Sequence, residues 1–231
     1  LFNQAAKIRY MTGGQCSVPM VLRAPMGAGR RNAGQHSQSL ENFFCHFPGL
    51  KVVAPCSAED AKGLLKAAIR SDNPVLFFEH KQLYKTKMEI PDEEYVLPIG
   101  KADIKREGGD VTLLSYGVLI NNVLEAAETL AGHGIEAQVL KLNQIAPLEE
   151  DFLLEAIHQT KRLLVLEDAF GVGCVGQRVA AILAQNGVAL KGLILKNLGR
   201  TFVPQGSVAQ LQKSCGLDAE SVVQAVLEAC G

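Results

Sequence analysis

The chain has 231 residues, 48% of them hydrophobic, with 23 Lys and Arg set against 24 Asp and Glu. A chain of this length and apolar content can bury one large core or two modest ones, so disorder is not its default state. The near-neutral charge gives no electrostatic reason to expect nucleic acid or an anionic membrane as partner, and no apolar run reaches the roughly 18 residues needed to cross a bilayer.

The opening stretch LFNQAAKIRYM carries neither an initiating Met nor a signal-peptide pattern. Leu1, Ala5, Ile8 and Met11 fall on one helical face, which predicts that the sequence begins inside a helix and is a fragment of a longer chain. Residues 18–25 (VPMVLRAP), 50–55 (LKVVAP) and 74–80 (PVLFFEH) are short apolar runs, as expected of buried parallel strands. Between the last two, residues 57–71 form an amphipathic helix with Ser57 at the N-cap and Glu59 and Asp60 in the first turn. Residues 81–100 break the rhythm with Pro91, an acidic cluster, Pro98 and Gly100, and read as an interdomain linker.

A second set follows, with strands expected at 110–117, 135–142, 162–169 and 188–197. Helices are expected at 121–134, 148–160, 176–187 and 218–229. Strands separated by helices need right-handed crossovers, and hence mostly parallel sheets covered on both faces. The expected fold class is therefore α/β, with two successive mostly parallel sheets, the domains dividing at 1–95 and 96–231. Cys16, Cys45, Cys56, Cys174, Cys215 and Cys230 are scattered, with no C-x-x-C pair, which favours reduced thiols over a disulfide framework or zinc site.

Residues 24–39 (APMGAGRRNAGQHSQS) are the most unusual stretch. They follow a strand, contain Gly27, Gly29 and Gly34, and end in the polar cluster Gln35, His36, Ser37 and Gln38. Ligands of open α/β sheets sit outside the carboxyl ends of strands, and a His placed there can move protons near neutral pH. Arg30 and Arg31 could bind an anion, although adjacent arginines are more often a solvated surface. His46, His80, His133 and His158 lie at element ends or exposed helical faces, where structural roles dominate. Gly171, Gly173 and Gly176 spell G-x-G-x-x-G, but late in the domain and without the acidic residue of a dinucleotide site, so they read as tight strand–helix packing.

The run NQAAKIRYMTGGQ…VPMVLRAPMGAG…GQHSQSLENFF…PGLKVVAP…DAKGLLKAAIRSDNPVLFFEH resembles the beta subunits of thiamine-diphosphate-dependent pyruvate and branched-chain 2-oxoacid dehydrogenases, in the transketolase superfamily. IPDEEYVLPIGKADIKREGGDVTLLSYG extends the resemblance past residue 115. The last third, with LEDAFGVGCVGQ, NLGRTFVPQGS and GLDAESVVQAV, is more similar to the C-terminal domain of deoxyxylulose-phosphate synthase.

The resemblance implies that residues 1–95 are the C-terminal part of a pyrimidine-binding domain and 96–231 a transketolase C-terminal domain. It implies thiamine diphosphate shared with an alpha subunit that also holds the magnesium, a lipoyl acyltransferase core as further partner, and a homodimer of beta chains. His36 matches the family's active-site histidine, with Gln35 and Ser37 orienting it. A potassium ion bound in some relatives maps onto Met20, Ala68 and Asn73, although a family Asp in that loop is Ser71 here. The family's catalytic Glu and the aromatics that pack on the pyrimidine match positions upstream of residue 1, so the isolated chain is expected to be inactive. The implied location is the cytoplasm, or the mitochondrial or plastid matrix in a eukaryote. Two other readings stand beside this one: a synthase of the deoxyxylulose-phosphate type that joins pyruvate to an aldehyde, and a non-catalytic module whose C-terminal domain serves subunit association.

Overall fold

The computed structural model describes residues 1–29 and 32–230. Its strands are β1 (Val21–Met26), β2 (Lys51–Val53), β3 (Val75–His80), β4 (Asp103–Arg106), β5 (Val111–Ser115), β6 (Ala137–Lys141), β7 (Gln144–Ala146), β8 (Arg162–Leu166) and β9 (Gly192–Lys196). Its helices are α1 (Ile8–Met11), α2 (Glu41–Phe44), α3 (Ala58–Ile69), α4 (Ile120–Ala131), α5 (Glu150–Thr160), α6 (Val175–Gln185), α7 (Val208–Ser214) and α8 (Ala219–Cys230).

Two sheets form, in the orders β1-β3-β2-β7 and β4-β6-β5-β8-β9. β1, β2 and β3 pair in parallel, as do β5, β6, β8 and β9, which is the α/β architecture expected from the alternating pattern. The antiparallel additions β4 and β7 were not anticipated. β7 follows β6 in the chain but pairs with β2, so the second half of the sequence supplies an edge strand to the first sheet.

Alternation along β3 explains how the two sheets share a core. Val75 and Phe77 face the cluster of Val53, Leu64 and Ala68, beneath α3. Leu76 and Phe78 point the other way, into one cluster that continues through Leu113, Leu140 and Val165 of the second sheet. Ser57 caps α3, its hydroxyl accepting from Asp60 N at 3.0 Å.

Residues 81–100 form a strap. After a short 3-10 turn at Lys81–Lys85 they run back over α3, where Leu97 N donates to Gly63 O and Tyr95 Oη to Glu59 O. Gly63 permits this, since a Cβ there would lie 2.5 Å from Leu97 Cγ.

The N-terminal expectation is corrected. Only Ile8–Met11 are helical, and Tyr10 and Met11 are exposed. Leu1 of the expected stripe packs on the core together with Phe2 and Ala6, and Phe2 stacks 3.9 Å from Phe47 between ring centroids. Leu1, Ala5 and Ile8 of the stripe are half-buried and Met11 is not, while aromatic packing brings Phe2 inward as well.

Candidate active site

The candidate loop leaves β1 at Met26, which lies opposite His80 at the end of β3. It therefore opens at the carboxyl edge of the first sheet. Gly27 adopts a φ of +75° and its N–H donates to Gln38 O at 2.9 Å, closing the loop at its base. Ala33 stands at φ +56° immediately before a single 3-10 turn, Gly34–His36. A non-glycine residue held in that region is strained, and such strain concentrates at functional loops.

Gln35 and His36 are exposed and Ser37 is half-buried, so the three expected residues share one turn with the imidazole open to solvent. The His36 carbonyl accepts from Lys81 Nζ, and the Gln35 carbonyl from Gln38 Nε2 at 3.4 Å. No hydrogen bond joins the Gln35 or Ser37 side chain to the His36 ring among the described residues. Arg30 and Arg31 lie outside the described residues.

The carboxyl edge of the second sheet faces this loop with an acidic cluster that the sequence reading did not find. Glu167 and Asp168 follow β8. Glu167 is buried, its oxygens accepting from Val175 N and Gly176 N, both at 2.9 Å. The helix N-terminus that a dinucleotide phosphate would use thus holds the protein's own carboxylate. Gly176 has the packing role expected of it: a Cβ would lie 2.7 Å from Leu195 Cδ2 and 3.2 Å from Glu167 Oε1.

Tyr116 Oη donates to Glu41 Oε1 at 2.8 Å and lies 3.4 Å from Glu167 Oε2, so its hydroxyl sits between two carboxyl groups. Burial pushes the Glu41 carboxyl up to about 7, with the charges of Asp168 and Glu167 adding to it against the opposing hydrogen bonds. Burial, then the Glu41 charge, also lifts the Tyr116 phenol well above its ordinary value. Arg178 lies alongside, donating to Ile145 O at 2.8 Å and Asn42 Oδ1 at 3.2 Å. Tyr116 lies 75 positions from Glu41 and 51 from Glu167 along the chain, a separation no local pattern reveals. The legible signal was the pair Glu167–Asp168 ending a strand just before a glycine-rich helix start.

The three expected potassium positions surround the turn between α3 and β3. Met20 O accepts from Val75 N at 2.9 Å and Ala68 O from Ser71 N at 3.1 Å, leaving each a second lone pair. The Ser71 hydroxyl in this turn accepts from Asn73 N at 3.3 Å. Among the described residues no group of three or more His, Cys, Asp or Glu is arranged to hold a metal ion. The six cysteines are free, and burial pushes the Cys45 and Cys56 thiols up to about 12. No helix among the described residues is long and apolar enough to cross a membrane.

Two mostly parallel sheets with facing carboxyl edges, one carrying a glycine and histidine loop, define a class to which comparison gives a family. Residues 1–87 match the transketolase pyrimidine-binding domain and residues 100–222 the transketolase C-terminal domain, and the chain belongs to this family. The chain is 42% identical over all 231 residues to the beta subunit of acetoin:2,6-dichlorophenolindophenol oxidoreductase of Bacillus subtilis, covering 68% of that protein. It is 46% identical over 187 residues to the 2-oxoisovalerate dehydrogenase beta subunit of the same organism, where 80% of the chain covers 57% of the relative. Against the pyruvate dehydrogenase E1 component beta subunit of Rhizobium meliloti it is 40% identical over its whole length and covers 50% of that protein. The chain thus spans half to two-thirds of these relatives. The solved structure of a split-gene transketolase, an inactive beta4 tetramer, superposes with a TM-score of 0.78 at 22% identity, covering 96% of this chain and 71% of that one.

Proposed function

We propose that this chain is part of the beta subunit of a thiamine-diphosphate-dependent 2-oxoacid dehydrogenase, dividing near residue 95 into its pyrimidine-binding and C-terminal domains. The observation that carries the reading is the exposed His36 at the carboxyl edge of the first sheet, within a chain about 40% identical to such subunits. The residues present fit the proton-handling part of that site. An imidazole open to solvent on a turn anchored through its own main chain can meet a cofactor presented by another subunit.

Bound thiamine diphosphate would supply the electron sink for decarboxylation. This chain's share is placement and proton transfer. His36 would hold or release the proton that acyl transfer to a lipoyl group requires, with Gln35 and Ser37 flanking it on the same turn. The alpha subunit holds the diphosphate through magnesium, a lipoyl acyltransferase takes the acyl product, and beta chains pair with each other. Potassium, bound through the carbonyls of Met20, Ala68 and Asn73, would stiffen the turn between α3 and β3. The reading places the protein in the cytoplasm or an organellar matrix.

The test reconstitutes the full natural beta chain with its alpha chain and assays pyruvate, branched-chain oxoacids and acetoin. Oxoacid activity that needs both chains and falls at least about a hundredfold in His36→Ala supports the reading. Thiamine-dependent condensation of pyruvate with an aldehyde, without oxoacid oxidation, would replace it by a synthase.

A further inference from the structure

The histidine loop is tied to the second sheet through a contact outside the proposed chemistry. His80, the last residue of β3, is buried and its Nε2 lies 2.9 Å from Asp168 Oδ2, just past the end of β8. Its Nδ1 accepts from Gln82 N at 3.3 Å, which places the ring proton on Nε2 and makes Asp168 its acceptor. The held ring lies directly against the loop's base, because a Cβ on Gly27 would fall 2.1 Å from His80 Nε2. Gly27 is the residue whose N–H closes the loop onto Gln38, and the neighbouring Lys81 donates to the His36 carbonyl.

We infer that His80 and Asp168 are a positioning pair that sets the His36 loop against the second sheet. Neither ring nor carboxylate touches the reacting atoms in this scheme. Asp168 fixes the orientation of the imidazole, the imidazole edge fixes the Gly27 backbone, and Gly27 with Lys81 fixes where His36 stands. Loss of the Asp168 acceptor frees the ring and loosens the loop while both sheets persist. For activity, the inference rests on the reading of His36 as the active-site histidine.

The first measurement needs no partner chain. In Asp168→Ala, amide hydrogen exchange in peptides covering residues 32–40 accelerates about tenfold or more, while β5 and β8 keep wild-type protection. Asp168→Asn, which keeps an oxygen for the Nε2 proton, restores slow exchange. Unchanged exchange in 32–40, or equal acceleration throughout the chain, overturns the inference. Nitrogen-15 spectra of the wild-type imidazoles serve if the alanine variant does not fold: His80 shows its proton on Nε2, and a proton on Nδ1 overturns the proposal.

The second measurement uses the assembled enzyme, where Asp168→Ala lowers kcat about tenfold at nearly constant KM, with Asn rescuing it. If His36→Ala leaves activity intact while 32–40 still loosens in Asp168→Ala, the functional reading falls and the positioning pair stands. If His36→Ala abolishes activity while Asp168→Ala changes neither exchange nor kcat, the pair falls alone.

Discussion

Lys141 Nζ lies 2.7 Å from Asp60 Oδ1, with both side chains buried. The pair joins α3, which covers the first sheet, to β6 of the second. The other Asp60 oxygen accepts from Cys56 N at 3.1 Å, so the carboxylate is held from both sides of the interface. A buried ion pair contributes little net stability, because desolvation offsets most of the attraction, but removing one partner strands the other charge.

Lys141→Met should therefore destabilise the chain by about 3 kcal/mol, read as a shift in the urea midpoint. Adding Asp60→Asn should recover more than half of that loss, since the amide oxygen can still accept from Cys56 N. A double variant no better than the single one would show that the ammonium contributes through packing rather than charge.

Glu41 gives the fold a pH dependence of definite sign. Its carboxyl is pushed from 4.5 up to about 7 by burial, so the folded state holds a proton that the unfolded chain has already released. The associated stability is complete below about pH 4.5 and is lost as pH rises through 7, on the order of 3 kcal/mol in all. Glu41→Gln keeps the shape without the charge and should flatten stability between about pH 5 and pH 8. Urea midpoints collected across that range decide it; equal slopes for wild type and variant would rule out Glu41 as their source.

Glu167 should be the most sensitive acid of the interface. Glu167→Leu leaves the amides of Val175 and Gly176 without their acceptor inside the core, a loss of at least about 2 kcal/mol. Glu167→Gln keeps one acceptor oxygen and should cost less. Thermal unfolding of both variants orders them, and the reverse order would place the stabilisation elsewhere.

The sequence was readable where structure is local. Ser57 with Glu59 and Asp60 announces the start of α3, and its hydroxyl caps the helix as expected. The alternating strands and helices from 110 onward appear in order because each apolar run is long enough to carry its period. β7 is only three residues long and follows β6 after two residues, too short a run to carry a period of its own, so the strand expected at 135–142 does not include it. The histidine loop stood out through its glycines, whereas His80 looked like an ordinary strand end. Its meaning depends on Asp168, 88 positions away. Glu41, Tyr116 and Glu167 were hidden for the same reason, since buried polar partners are chosen by the fold and leave no spacing behind.

The placement of β7 bears on how the molecule could be taken apart. A polypeptide broken between residues 87 and 100 would leave a first piece whose strand β2 has its backbone open along one side, with Val52 and Val53 fully buried in the intact protein. Such an edge invites pairing with any extended chain, including another copy of itself. The second piece, however, carries the matching strand. Co-expressed fragments should therefore reassemble by strand complementation, with Gln144–Ala146 as the recognition peptide, while the first fragment made alone should aggregate.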